Sequence, residues 1–254
     1  TYQTDKYWIA EGSKGLRSIQ RKGSNSFEAL NEPIILDGPY SNSAFDIVCK
    51  NDKVYMIIGG KDLLNGKRFD KGGYILTYDY DKWSFIDPKE AQKKLNLPRN
   101  PRDYTSIAVT TDDSNDEIVY ASSMGDGVIQ YKNGTPVQSY NEKNAFKETA
   151  GGYGSGYCYI DGLAFDKNGN LWMTSSEVNH AVLVLDKAGA WHRLDIEQLR
   201  GVYTINDILI TSTNDKWIYV PRNTPKLVMI PNSESLDEVS SYEFTTLIDT
   251  DGKE

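Results

Sequence analysis

Between Ile160 and Asp195 the chain reads IDGLAFDKNGNLWMTSSEVNHAVLVLDKAGAWHRLD. Four short strand-forming runs follow one another here: Leu163–Asp166, Leu171–Ser175, Ala181–Asp186 and Trp191–Leu194. The turns between them, among them Asp166-Lys167-Asn168-Gly169 and Lys187-Ala188-Gly189, leave no room for a crossover helix. Strands joined this tightly pair antiparallel, so the segment must fold as a four-stranded meander. Such a sheet is one blade of a β-propeller, and a blade is stable only among copies of itself.

The copies are visible. An aromatic residue marks the second strand of each: Trp8 in KYWIA, Tyr55 in KVYMI, Tyr120 in IVYAS, Trp172 in NLWMT and Trp217 in DKWIY. The intervals are 47, 65, 52 and 45 residues, against roughly 40–50 for a typical blade. The long interval holds two insertions. One is the Gly/Lys-rich Lys61–Gly73. The other, Asp87–Arg102, contains a short helix over Pro88–Leu95, capped by Asp87, opened by Pro88 and stopped by Pro98 and Pro101.

The pattern predicts an all-β propeller of about five four-stranded antiparallel blades with one short helix in or after blade two. The blades span 6–36, 44–86, 104–140, 160–196 and 205–248, within one domain covering 1–254. Blade one has strands at Trp8–Glu11, Leu16–Gln20 and near Phe27–Leu36, and its first strand is missing. A ring with open edges invites aggregation. Phe244–Ile248 is therefore expected to supply the missing strand and close the ring. The alternative makes it the outer strand of blade five.

Composition bounds the function. Twenty-eight basic against 36 acidic residues give a net charge of −8, which disfavours nucleic acid and anionic lipid as general partners. No apolar run approaches the roughly 20 residues that span a membrane, and Thr1 opens in polar sequence with no signal segment. The chain is expected to be a mature piece of a larger multidomain protein. Cys49 and Cys158 are expected to be small buried hydrophobes, with a disulfide the lesser alternative.

No chemistry is announced. His180 and His192 are expected to be surface histidines, with His192 facing solvent, and no Ser sits in a nucleophile elbow. Cysteines and histidines lack metal-ligand spacing, so no metal and no cofactor are expected. GKDLLNGKR at Gly60–Arg68 has five residues between its glycines and Arg68 where a phosphate loop needs Ser or Thr. The acidic turns at Asp112, Asp166 and Asp249 have hairpin chemistry and lack the spaced Glu of a calcium loop.

Recognition is expected on the face that gathers the inter-blade loops and the loops between second and third strands. Candidates there are Tyr40, Asn42, Arg102, Asp103, Tyr104, Tyr153, Tyr157, Asp161, Glu177, Asn179 and His180. Tyrosines with polar neighbours suit a glycan or a protein surface. The bland alternative is that each only plugs the funnel or packs neighbouring blades. The GGYGSGY loop at Gly151–Tyr157 is the centre of this expected surface.

DGLAFDKNGNLWMTSS resembles the two-component-regulator propeller repeat of Bacteroidetes, which builds periplasmic sensor domains of hybrid histidine kinases. The phrases LDGPYSNSAFDI, YASSMGDGVIQYKNG, LWMTSSEVNHAVLVLDKAGAW and INDILITSTNDKWIYVPR, in that order, resemble the PorZ-like propeller proteins of the type IX secretion system. That resemblance implies a non-enzymatic role in the periplasm or at the outer membrane and cell surface, with an envelope protein or lipopolysaccharide as partner. The alternative it leaves is a periplasmic domain sensing an oligosaccharide. A propeller hydrolase or lyase ranks last, because the carboxylates look scattered. Oligomeric state is left open.

Overall fold

The computed structural model describes residues 6–10, 16–34, 38–146, 157–222 and 225–245. They fall into two compact units, one ending at Pro39 and one beginning at Tyr40. The first unit holds a three-stranded antiparallel sheet of β1 (Lys6–Ala10), β2 (Leu16–Arg21) and β3 (Phe27–Ala29). Asn31 accepts hydrogen bonds from the amide and hydroxyl of Ser18, fixing the chain beyond β3 against the middle strand.

The second unit contains four meanders. The first is β4 (Ala44–Lys50), β5 (Lys53–Ile58), β6 (Ile75–Asp79) and β7 (Lys82–Ile86). Helix α1 (Pro88–Leu95) follows, over the residues the sequence indicates. Asp87 accepts from the Lys89 amide at its start, and Asn96 in the left-handed conformation ends it. The next meander is β8 (Tyr104–Thr111), β9 (Glu117–Gly125), β10 (Gly127–Lys132) and β11 (Thr135–Tyr140). Then come β12 (Cys158–Phe165), β13 (Leu171–Ser175), β14 (Val182–Leu185) and β15 (Trp191–Leu194), and last β16 (Ile208–Ile210), β17 (Lys216–Val220), β18 (Lys226–Ile230) and β19 (Tyr242–Phe244). The fold is all-β, and the named strands pair antiparallel. The middle two meanders join where Met124 and Gly125 pair with Tyr159 and Cys158.

β19 differs from the expected ring-closing strand. Its Phe244 pairs with Leu227 of β18, and Phe244 stacks on Trp217 at 5.4 Å, so this segment is the outer strand of the last sheet. Residues 246–248 and the turn at Asp249 lie outside the described residues.

Apolar faces pack sheet on sheet. Tyr55, Ile57 and Ile75 meet Tyr104, Ile107, Val119 and Tyr131 between the first two meanders of this unit. Val128, Ile160, Leu171 and Met173 fill the next seam, and Trp172, Val184, Ile208 and Ile218 the last. Polar side chains tie the innermost strands together. Asp46 of β4 accepts from the hydroxyl of Ser106 and the amide of Ile107 in β8, both at 3.1 Å. Ser106 in turn accepts from the Leu163 amide of β12 at 3.2 Å, and Thr105 donates to Ile160 O at 2.5 Å.

Two expectations on single residues are corrected. Cys49 is exposed on β4, while Cys158 is buried, its thiol pushed up to about 12 by burial; both are free thiols. His192 is a clamp, with its side chain only 21% exposed: Nε2 lies 3.1 Å from Asp186 and Nδ1 3.0 Å from Asp237. Hydrogen bonds donated to these two carboxylates raise its pKa.

Asp166 shows how one turn residue organises a meander. Its carboxylate accepts from the amides of Asn168 and Asn170, from the Asn170 side chain and from the Trp172 indole, each at 2.9 Å. Trp172 is buried, with the Lys216 ammonium 4.4 Å from its ring. Asp166→Ala leaves a buried indole N–H unpaired and is expected to cost about 2–3 kcal/mol. The melting temperature of this chain should fall by roughly 5–10 °C, whereas a fall no larger than that of a surface Asp→Ala control would refute this role.

Candidate functional site

The Lys61–Gly73 insertion does more than lengthen a hairpin. It leaves β5 through Gly59 and Gly60, where φ is positive at +144° and +93°. A Cβ on Gly60 would sit inside the Phe45 ring, so only glycine lets the chain turn there. Asp62 then shapes the tip. Its carboxylate accepts from the Leu64 amide at 2.8 Å and from the Asn65 side chain at 2.7 Å, an arrangement that Asp favours in tight turns. Lys61 bridges back to Arg68, which completes a small closed loop.

This loop drives Lys61 into the interior, where the residue is 4% exposed. Its ammonium pairs with Asp161 of β12 and donates to the Ile205 carbonyl at 2.8 Å, just before β16. Asp161 also accepts from Ser176 Oγ at 2.5 Å, and Ser176 Oγ accepts from the Ile205 amide at 2.8 Å. Burial works to raise the Asp161 carboxyl, and the Lys61 charge opposes that. Glu177, half-buried beside it, is raised by its own burial and by the Asp161 charge.

Above this pair lies a cleft of about 280 Å³. Tyr157, Tyr159, Tyr203 and Met124 supply its apolar walls, and Asn65, Lys67 and Arg68 come from the insertion. The rings of Tyr157 and Tyr159 stand edge to face, 6.3 Å apart. The Arg222 guanidinium stacks 5.1 Å from Tyr203, and that of Arg99 lies 5.1 Å from Tyr157. Arg68 pairs with Asp70 at 2.9 Å and comes within 3.9 Å of Asp103. A second cleft of about 220 Å³ shares Tyr157 and is lined by Arg99, Asp126 and Asn141. Stacking faces flanked by guanidinium and amide groups suit planar or polyhydroxylated ligands and protein side chains.

The structure does not bring all the candidates named from sequence together. Tyr157, Asp161 and Glu177 meet at this cleft or directly beneath it. Arg102 and Asp103 do not line it: Arg102 lies 3.8 Å from Asp70, and Asp103 is fully buried, accepting from the Lys71 amide at 3.0 Å. Burial raises the Asp103 carboxyl. Tyr104 is a core plug, fully buried with its hydroxyl 2.6 Å from that of Tyr131. Tyr40 stands elsewhere, stacked on Phe85 and Tyr74 at 4.7 Å, and Asn42 is exposed two residues later. Asn179 and His180 sit in the turn after β13, beyond Glu177. Tyr153 and the rest of Gly151–Gly156 lie outside the described residues.

Sequence reasoning missed Lys61, Arg68, Tyr159, Tyr203 and Arg222. The only advance signal was the length of the interval carrying the insertion. It also took the carboxylates as scattered. Asp46, Asp161 and Asp207 come near enough to interact, and Asp207 shows it. Its side chain reaches solvent but is crowded by protein. That crowding, then Asp46 and Asp161, lifts its carboxyl to about 6, while the Ile208 amide opposes. No cluster of three metal-binding side chains occurs among the described residues, and no described helix is long and apolar enough to cross a membrane.

No protein-family model matches this sequence, and no curated protein does. Solved structures do share the fold. PorZ of Porphyromonas gingivalis, a surface component of the type IX secretion system, is 19% identical with a TM-score of 0.75, over 98% of this chain and 33% of that one. The extracellular domain of the putative hybrid two-component system BT4673 of B. thetaiotaomicron is 15% identical with a TM-score of 0.53, over 94% and 30%. The periplasmic gluconolactonase PpgL of Pseudomonas aeruginosa is 10% identical with a TM-score of 0.54, over 96% and 72%. The chain thus spans about a third of the first two. The fold is that of the propeller proteins the sequence resembles.

Asp207 gives the site a pH signature. A carboxyl raised above its unfolded value of about 3.9 holds its proton more tightly when folded. The stability it contributes is complete below that value and is lost as pH rises through about 6. Asp207→Asn removes the ionisation and can still accept from Ile208. The variant should be more stable than wild type in urea unfolding at neutral pH, with the gap closing by about pH 4. A gap that is constant with pH would show that Asp207 is not perturbed.

Proposed function

We propose that this chain is a five-bladed propeller domain of a bacterial cell-envelope protein and that it acts by binding rather than by catalysis. Each meander is one blade in this reading. The observation that carries it is the cleft of Tyr157, Tyr159 and Tyr203, with Arg68 at its mouth, built over the buried Lys61–Asp161 pair. A rigid base under broad aromatic faces is what recognition of a large partner requires. The partner is an envelope protein or a lipopolysaccharide glycan, as for a PorZ-like assembly factor. The location is the periplasm or the outer surface.

The non-enzymatic reading is supported by how the acids are used. Asp161 is committed to Lys61 and Ser176, and Asp46 to Ser106 and Ile107. The gluconolactonase shares only the fold. A second reading, an oligosaccharide-sensing domain of a hybrid two-component protein, is favoured by the likeness to the BT4673 extracellular domain. The candidates Tyr40 and Asn42 have no part in the proposed site, and Asn179 and His180 border it.

Tyr157→Ala combined with Tyr203→Ala tests the site. The pair should leave thermal stability almost unchanged, because Tyr203 is 43% exposed and Tyr157 is only half-buried. Binding of the chain to purified lipopolysaccharide and to outer-membrane protein extract, measured by biolayer interferometry, should weaken at least about tenfold for the true partner. Unfolding of the double variant, or binding equal to wild type, would refute the assignment.

A further inference from the structure

At the other ends of the same strands, the β4–β7 and β8–β11 sheets part. They leave a groove of about 480 Å³, within the range of about 300–1,000 Å³ where small-molecule sites fall. Its mouth is set by Asn51 in the β4–β5 turn, Asn115 in the β8–β9 turn and Asn133 in the β10–β11 turn. None of these belongs to the tyrosine cleft, which draws on the β5–β6 connection and on Met124, Tyr157, Tyr159 and Tyr203.

Glu117 stands at the centre of the groove. Its Oε2 accepts from the Tyr55 hydroxyl at 2.5 Å and from Lys53 Nζ at 3.2 Å. Tyr55 is fully buried, and burial together with Glu117 pushes its phenol far above the ordinary range, so it remains a donor. Asn133 accepts from the Glu117 amide at 2.9 Å and holds the residue from behind. These bonds fix the carboxylate and leave its second oxygen, Oε1, with no hydrogen bond from the described residues. The Asn51 and Asn115 amides are likewise not engaged by described side chains. Thr77 and Ser84 present paired hydroxyls on one wall.

The chemistry of this lining selects its ligand. Lys53 stands between Glu117 at 3.2 Å and Asp79 at 3.8 Å, so its charge is already engaged and an anionic ligand finds no spare cation on it. A fixed carboxylate oxygen, free amides and hydroxyls offer both acceptors and donors at several points. Ile75, Ile86 and Val119 give an apolar strip beneath them. A ring with alternating hydroxyls and a C–H face satisfies both. We propose that this groove binds a neutral mono- or disaccharide, held by Glu117, Asn51 and Asn115.

The test uses saturation-transfer difference NMR on this chain with maltose, cellobiose and mannobiose as separate probes at millimolar concentration. At least one should receive saturation and shift the side-chain amide resonances of Asn51 and Asn115. Ser84→Trp fills the groove from an exposed position on β7 and spares the core. It should weaken that binding at least about tenfold, and Tyr157→Ala should leave it unchanged. Absence of transfer to all three sugars overturns the proposal, as does transfer that survives Ser84→Trp. Loss in Tyr157→Ala with retention in Ser84→Trp would assign the sugar to the tyrosine cleft instead.

Discussion

The Lys61–Asp161 pair is the contact on which the cleft depends. Both side chains are almost wholly removed from water. Taking two charges out of water costs several kcal/mol per ion, and their attraction offsets this only when further hydrogen bonds complete the geometry. Ile205 O completes it for the ammonium and Ser176 for the carboxylate. The result fixes an insertion from one sheet against the inner strand of another and the lead-in to a third. A pair of this kind is a weak source of net stability. Its value is in allowing one arrangement, because every misplacement leaves a bare charge inside.

The same logic runs along the inner strands. Asp46, Ser106, Thr105 and Asp161 each bond across to a neighbouring sheet near the centre, where outer apolar seams cannot reach. Polar bonds thus join these inner strands. The tyrosine cleft takes part of its walls from a loop standing on that base, an arrangement common where function is carried by loops on a scaffold.

What was legible in the sequence is what depends on near neighbours. Leu171–Ser175, Trp191–Leu194 and the helix Pro88–Leu95 are read with their observed bounds, because alternation, turn residues and caps act over a few positions. Asp161, Glu177 and Tyr157, named from the loop face, lie at or beneath the cleft. Lys61 was not, since its partners lie 100 and 144 residues away and nothing local distinguishes it from a solvated lysine. Tyr104 and Tyr159 look alike in sequence. One reaches Tyr131 in the core and the other opens onto the cleft, and only the packing of sheets decides which. The role of Phe244 was open for the same reason, because an edge strand is defined by whichever edge it reaches.

The central claim is that Lys61 and Asp161 act as a unit. A double-mutant cycle of Lys61→Met and Asp161→Asn, by urea unfolding at neutral pH, measures that directly. Each single change should cost about 3–5 kcal/mol by stranding its partner. The double variant should lose much less than the sum, with a coupling above about 2 kcal/mol. Additive losses, or single variants as stable as wild type, would show that the insertion is held in some other way and would contradict the account.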